Sequence, residues 1–182
     1  MVTEDPGATS DPGRPQTRES KTAVVVMGVA GSGKTTVAQL LGEQLGWQEA
    51  EADDFHPAAN VAKMHDGIPL TDEDRAPWLI TIRDWINDRP GSVVITCSAL
   101  KRAYRDVLRT AAADVVFLHL DGSPGLIRKR MSGRTGHFMP VSLLDSQLAT
   151  LEDLEPDERG VVVNIDQTPE EIVARARKEL GL

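Results

Sequence analysis

The sequence predicts an α/β fold, a central parallel sheet with helices on both faces, and three observations carry that prediction. Short Val-rich apolar runs recur along the chain, each of the length of a strand covered on both faces. Between them the apolar spacing changes to the step of an amphipathic helix. Strand and helix alternate from about Thr22 to the end, the order that winds a chain into a parallel sheet. The length of 182 residues fits one ordinary domain.

Ala23–Met27 is the first strand. From Lys34 the apolar positions Val37, Leu40, Leu41 and Leu45 follow a helical step that stops near Gly46. A weaker strand covers Trp47–Glu51, and Pro57–His65 predicts a short helix with proline in its first turn. Thr71 with Asp74 three residues on makes a capping-box pattern. It opens a helix to about Asp88 that carries Trp78, Ile82, Trp85 and Ile86. Val93–Cys97 and Val115–Leu120 are two more buried strands, with a helix near Arg102–Ala112 between them. Ser123–Met131 and Ser142–Leu151 read as helices flanking a polar break at Ser132–Pro140. Val161–Ile165 is the last strand, and Thr168 before Pro169 starts the final helix. Residues 1–21, rich in Pro, Gly, Ser, Thr and charge, read as a disordered leader to a working domain at 22–182.

Composition narrows the class. Apolar residues at 40% are enough for a core, and the net charge of −8 leans away from a surface built to hold nucleic acid. The single cysteine, Cys97, suits a reducing cytosol, and no apolar run approaches the roughly 18 residues of a membrane span. The expectation is a soluble cytoplasmic domain. Its acidity is uneven: residues 49–75 carry a net −6, whereas 101–134 carry a net +5. A basic island in an acidic protein points to a local anion site or to a solvated helix face.

Gly28, Val29, Ala30, Gly31, Ser32, Gly33, Lys34 and Thr35 match the phosphate-loop pattern GxxxxGK[ST]. Glycines let the backbone wrap close to phosphate with its N–H groups inward, and the helix that follows adds its positive end. Lys34 would reach the β- and γ-phosphates, and the Thr35 hydroxyl would ligate Mg²⁺. No NKxD-type base-reading motif accompanies the loop, which removes a GTPase switch, and a motor ATPase needs a larger chain. A small kinase fits. Its second substrate is expected at the carboxyl edge of the sheet, where Glu51-Ala52-Asp53-Asp54-Phe55-His56-Pro57 follows the second strand. There Asp53 can take a proton from an acceptor hydroxyl, and Glu51 can help hold Mg²⁺ through water. The third strand ends without a Walker-B aspartate, which leaves the ion to Thr35, water and Glu51. The histidines lack metal-ligand spacing; Cys97 and the tryptophans Trp47, Trp78 and Trp85 read as packing.

The chain resembles the gluconate kinase (gluconokinase) family of P-loop kinases. The resemblance runs through Gly28–Thr35, Asp53–Pro57 with Asn60, Lys63 and Met64, then Gly67, Pro69-Leu70, Asp72, Asp74-Arg75 and Pro77-Trp78. Cys97–Lys101, Tyr104–Asp106, Gly136–Phe138, Leu144, Ser146-Gln147 and Leu151-Glu152 continue it in the same order. It implies a three-layer P-loop NTPase sandwich around a five-stranded parallel sheet, with a substrate-binding helical region and a mobile lid at about 132–141. It implies transfer of the ATP γ-phosphoryl group to the 6-hydroxyl of D-gluconate. The catalytic set it implies is Lys34, Asp53 and Arg134, with Gly28–Thr36 and Arg130 on the nucleotide. Asp53, His56, Arg75, Ser98, Lys101 and His137 would bind substrate, Arg75 gripping its carboxylate, and Thr35 and Glu51 would hold Mg²⁺. Of Arg130 and Arg134, one serves adenine and one the phosphates, in either order. A homodimer is a further family expectation. A different acceptor, such as shikimate or a nucleoside monophosphate, and a non-catalytic ATP-binding protein are the alternatives.

Overall fold

The structure, a computed structural model, describes residues 20–133 and 142–182. The expected lid therefore lies outside the described residues apart from Ser132 and Gly133, and the leader does so apart from Ser20 and Lys21.

Among the described residues five strands form one sheet: β1 (Thr22–Met27), β2 (Gln48–Glu51), β3 (Val93–Thr96), β4 (Asp114–Asp121) and β5 (Gly160–Asn164). Their order is β2-β3-β1-β4-β5, and every pairing is parallel. The helices are α1 (Lys34–Leu45), α2 (Ala58–His65), α3 (Asp72–Asp88), α4 (Arg102–Leu108), α5 (Pro124–Ser132), α6 (Ser142–Thr150) and α7 (Pro169–Leu180). Every residue of β3 is buried, as are all of β1 after Thr22, so a polar side chain in either would need its own partner. α7 seals its flank of the sheet with Ile172, Val173, Ala176 and Leu180, a one-sided apolar stripe.

Local signals set the helix ends. The capping box at α3 is complete: Thr71 Oγ1 accepts from the Asp74 N–H at 3.1 Å, and Asp74 Oδ2 accepts from the Thr71 N–H at 2.9 Å. Thr168 and Glu171 repeat the arrangement at α7. Pro57 is the cap before α2 rather than a residue of its first turn. α4 stops four residues before the expected Ala112, because the chain must turn there to enter β4. Asn87 Oδ1 takes the Ala112 N–H at 2.7 Å, and the Lys21 carbonyl takes the Asp114 N–H at 2.8 Å. Lys21, read as the end of the leader, is thus part of the domain; its ammonium also donates to the carbonyls of Ile86 and Arg89 at the end of α3.

Cys97 is buried in the core, and burial pushes its thiol up to about 12, which makes it inert. No helix among the described residues is long and apolar enough to cross a membrane.

Candidate active site

The carboxyl ends of β1, β2 and β3 converge on the phosphate loop. Gly28 leaves β1 at φ +143°, and a Cβ there would sit 2.8 Å from the Leu120 carbonyl oxygen and from Ser32 Oγ. At Gly31 (φ +80°) it would meet Met131 Cγ at 2.5 Å. The loop is therefore glycine where neighbouring atoms leave no space. Lys34 folds back across it, its ammonium donating to the carbonyls of Gly28 and Val29 at 3.1 Å each. α1 has no side-chain cap, which leaves its first-turn N–H groups for an anionic ligand.

Two cavities meet at Gly33. The first is lined by Lys34 and Thr35, by Glu51, Asp53 and His56 after β2, by Arg75 and Trp78 of α3, by Ser98 after β3, and by Leu143, Ser146 and Gln147 of α6. The second is lined by Ser32, Thr36 and Val37, by Leu126, Lys129 and Arg130 of α5, and by Gln167 and Ile172. Arg130 is held there by a 2.7 Å bond to the Ile165 carbonyl. Of the expected nucleotide residues, Ala30, Gly31, Lys34 and Thr35 line the first space, Ser32, Thr36 and Arg130 the second and Gly33 both, while Gly28 and Val29 line neither.

The acid at the end of β2 has a defined environment. Glu51 is in register with Thr96 of β3, and the Thr96 hydroxyl donates to Glu51 Oε2 at 2.7 Å. Glu51 Oε1 is buried without a hydrogen-bond partner among the described residues. Glu51 thus stands on the neighbouring strand beside the end of β3, the strand on which a Walker-B acid would be expected. A short 3-10 turn, Ala52–Phe55, then carries Asp53 into the cavity with its side chain half exposed. His56 follows, with its imidazole stacked on Trp78 at 4.0 Å between centroids and 15° between planes. Trp78 in turn donates from Nε1 to the Ala52 carbonyl at 2.7 Å. It packs as expected and is also a stacking platform, which the sequence reading did not assign to it.

Arg75 is aimed by its neighbours. It donates to the Leu70 carbonyl at 2.7 Å and to the Tyr104 hydroxyl at 3.1 Å, with its guanidinium over the Tyr104 ring. The Tyr104 hydroxyl donates to Asp72, and Lys101 donates to the same carboxylate at 3.1 Å. The hydroxyl of Tyr104 and the Lys101 ammonium hold Asp72 below the usual carboxylate range. Lys101 is thus engaged at Asp72 and is not a wall residue of either cavity. From α6, Gln147 Oε1 accepts the Ala30 N–H of the phosphate loop at 2.7 Å. Residues that sequence reasoning did not assign to the site are therefore Tyr104, Gln147 and Trp78. Tyr104 and Gln147 stand in blocks shared with known kinases, but no spacing rule gives them a task. Arg134 and His137 lie outside the described residues.

Burial, aided by the charge of Arg75, lowers His56 to about 4. His119 in β4, buried with neither ring nitrogen bonded among the described residues, is also lowered, by burial. At pH 6.5, where histidines of the unfolded chain are half protonated, His56 is neutral in the folded state and His119 is shifted in the same direction. Folding stability is therefore expected to fall as pH drops from 6.5 toward 4.5, before most carboxylates titrate. Glu49, raised by burial, opposes the trend at the low end. Urea midpoints measured at half-unit pH steps test this; a flat profile across that window contradicts it.

Comparison with known proteins adds the following. The AAA domain family matches residues 24–154. Gluconokinase of Gluconobacter oxydans (strain 621H) is 50% identical over 153 residues, 82% of this chain and 86% of that protein. Among solved structures, a sugar kinase from Janibacter sp. HTCC2649 aligns with a TM-score of 0.86 and 56% identity, over 88% of this chain and 95% of that one. A gluconokinase from Sinorhizobium meliloti 1021 aligns with a TM-score of 0.81 and 46% identity, over 90% of this chain and 94% of that one.

Proposed function

The chain belongs to the gluconokinase family of P-loop kinases, and from that premise we propose that it phosphorylates D-gluconate at the 6-hydroxyl, using ATP and releasing 6-phosphogluconate and ADP. One observation supports the site assignment above the rest. A single cavity joins the phosphate-loop residues Lys34 and Thr35 to an acid, Asp53, and to an arginine, Arg75, that has been aimed by its neighbours. That is the set a sugar-acid kinase needs: charge for the phosphates, a proton acceptor for the hydroxyl, and a planar fork for the carboxylate.

In this reading the first cavity takes gluconate and the transferring phosphoryl group, and the second takes the adenosine half of ATP beside Arg130. Lys34 offsets the phosphate charge, and Asp53 receives the proton of the 6-hydroxyl as its oxygen attacks. On the family resemblance, Arg134 serves the phosphates and His137 the substrate. Thr35 and Glu51 suit Mg²⁺, a hard cation that prefers oxygen ligands and keeps several waters, because Glu51 Oε1 is buried without a partner among the described residues. When bound, the ion would supply charge neutralisation along the phosphates. Residence in the cytoplasm and a homodimer belong to the same reading.

A panel of acceptors with coupled ADP detection tests the substrate. Gluconate should support turnover, whereas shikimate and nucleoside monophosphates should not; a better rate with either would overturn the assignment. Arg75→Lys keeps the charge and removes the fork. It is expected to raise the gluconate KM about 10–100-fold and to move the ATP KM less than about 2-fold. Equal effects on both would remove Arg75 from the carboxylate.

A further inference from the structure

Behind Asp53, the side chains of His56 and Asn60 form a relay, anchored on the Asp74 carbonyl, that the phosphoryl-transfer reading does not use. His56 is almost fully buried, its side chain 3% exposed, and its Nε2 lies 3.9 Å from Asp53 Oδ1. On the other side of the ring, Nδ1 is 3.3 Å from Asn60 Nδ2. Asn60 itself is buried, and the same nitrogen donates to the Asp74 carbonyl oxygen at 2.9 Å.

The orientation of the Asn60 amide follows from this last bond. The Asp74 carbonyl only accepts, so the Asn60 atom facing it must be the NH₂ and not the oxygen. An NH₂ has two hydrogens, and with one on Asp74 the other is directed at His56. A donor opposite Nδ1 requires Nδ1 to accept, and a neutral imidazole then carries its hydrogen on Nε2, the nitrogen that faces Asp53.

We propose that Asn60 is a positioning residue for phosphoryl transfer: it fixes His56 in the Nε2–H tautomer, and His56 presents that hydrogen to Asp53 and orients its carboxylate. The inference rests on the reading of Asp53 as the group that receives the acceptor proton. The gap of 3.9 Å exceeds a hydrogen bond and closes with a shift of about 1 Å, the kind of tightening that catalytic contacts show when substrate binds. The opposite tautomer would aim a nitrogen lone pair at the carboxylate and push it away. The Trp78 stack fixes the plane of the ring, and the Asn60 contact at Nδ1 sets both its flip within that plane and its tautomer.

The charged groups around the ring agree with a neutral imidazole. Asp53 faces Nε2, and Arg75 shares the cavity together with Lys34 and Glu51. Behind Asn60, the Asp74 carboxylate is already paired with Lys63 at 2.8 Å. Burial and Arg75 keep His56 from protonating near neutral pH. His56 is therefore a donor to Asp53 and not a base in its own right.

The test combines spectroscopy with kinetics on the full chain. Long-range ¹H–¹⁵N correlation of histidine-labelled wild-type protein, without substrates, should show His56 as the Nε2–H tautomer from pH 6 to 8. An Nδ1–H tautomer, or an imidazolium at pH 6, overturns the inference. In Asn60→Asp an acceptor replaces the donor at Nδ1, so His56 should change tautomer or protonate near neutral pH, and kcat should acquire a matching pH dependence. His56→Gln places an amide N–H where Nε2–H stood and should keep kcat within about 10-fold, whereas His56→Phe keeps the stack, loses the hydrogen and should lose about 100-fold. Gluconate KM should move less than about 3-fold in His56→Phe. A rise in that KM with kcat intact would mean that His56 serves the substrate directly, and would also overturn the inference. The two readings fail separately: full turnover in Asp53→Asn removes the role of Asp53, while the wild-type tautomer is read without any turnover.

Discussion

Asp53→Asn is expected to lower kcat by about 10²–10⁴-fold and to leave the Kd for ATP unchanged. The substitution is nearly isosteric, so it preserves the 3-10 turn, in which the His56 N–H bonds the Asp53 carbonyl at 3.3 Å. What it removes is a carboxylate that can take a proton at the wall shared with Lys34 and Arg75. In the proposed reading the adenosine half of ATP occupies the space beside Arg130, which Asp53 does not line. Rapid-quench turnover with saturating gluconate, paired with nucleotide titration, measures both halves. A kcat within about 3-fold of wild type would remove Asp53 from the chemistry.

Arg105→Leu is expected to cost about 3–5 kcal/mol of folding stability, a large share of what a domain of this size has. Arg105 and Glu158 are both fully buried and paired at 2.6 Å. The guanidinium also donates to the carbonyls of Ala99, Glu152 and Asp153 at 3.0–3.1 Å. A leucine would leave a buried carboxylate and three carbonyls without this donor. Glu158→Gln keeps an acceptor for Arg105 and should cost clearly less. Urea unfolding of the two variants gives the ranking, and equal losses would contradict it. The position matters to the site because Ala99, held at φ +47°, follows Ser98 in the cavity wall. Its left-handed backbone is unfavourable for an alanine and persists because Arg105 binds its carbonyl.

The architecture was legible because the signals that define it are local. Buried Val-rich runs, a glycine loop opening a helix and two capping boxes each act within a few residues, and the strands and helices fall close to where those patterns put them. Element ends were less legible where a distant partner sets them, as with Asn87 and Lys21 at the entry to β4. The site shows the same division. Lys34, Thr35, Asp53 and Arg75, which motif and family order name, line one cavity. Asn60, Tyr104 and Gln147 act across 4 to 117 residues of sequence, through bonds that only the folded chain creates. Trp78 was read as packing because an indole in an amphipathic stripe looks the same whether it faces leucine or imidazole.

The strand order has a consequence for how the chain reaches this state. Among the described residues β1 is the first strand made and the central one, flanked by β3 and β4, so Ala23 pairs with Val93 and Val115. At a synthesis rate of about 5–20 residues per second, the run Ala23–Met27 waits roughly 5–20 s for its second partner. During that interval it is a short, uncharged, β-branched segment, the kind that pairs with other chains. Its contacts are non-local, so docking of β4 is the event on which productive folding depends. Slowing translation between β3 and β4 should therefore lower the soluble yield of this protein more than slowing it after Asp121.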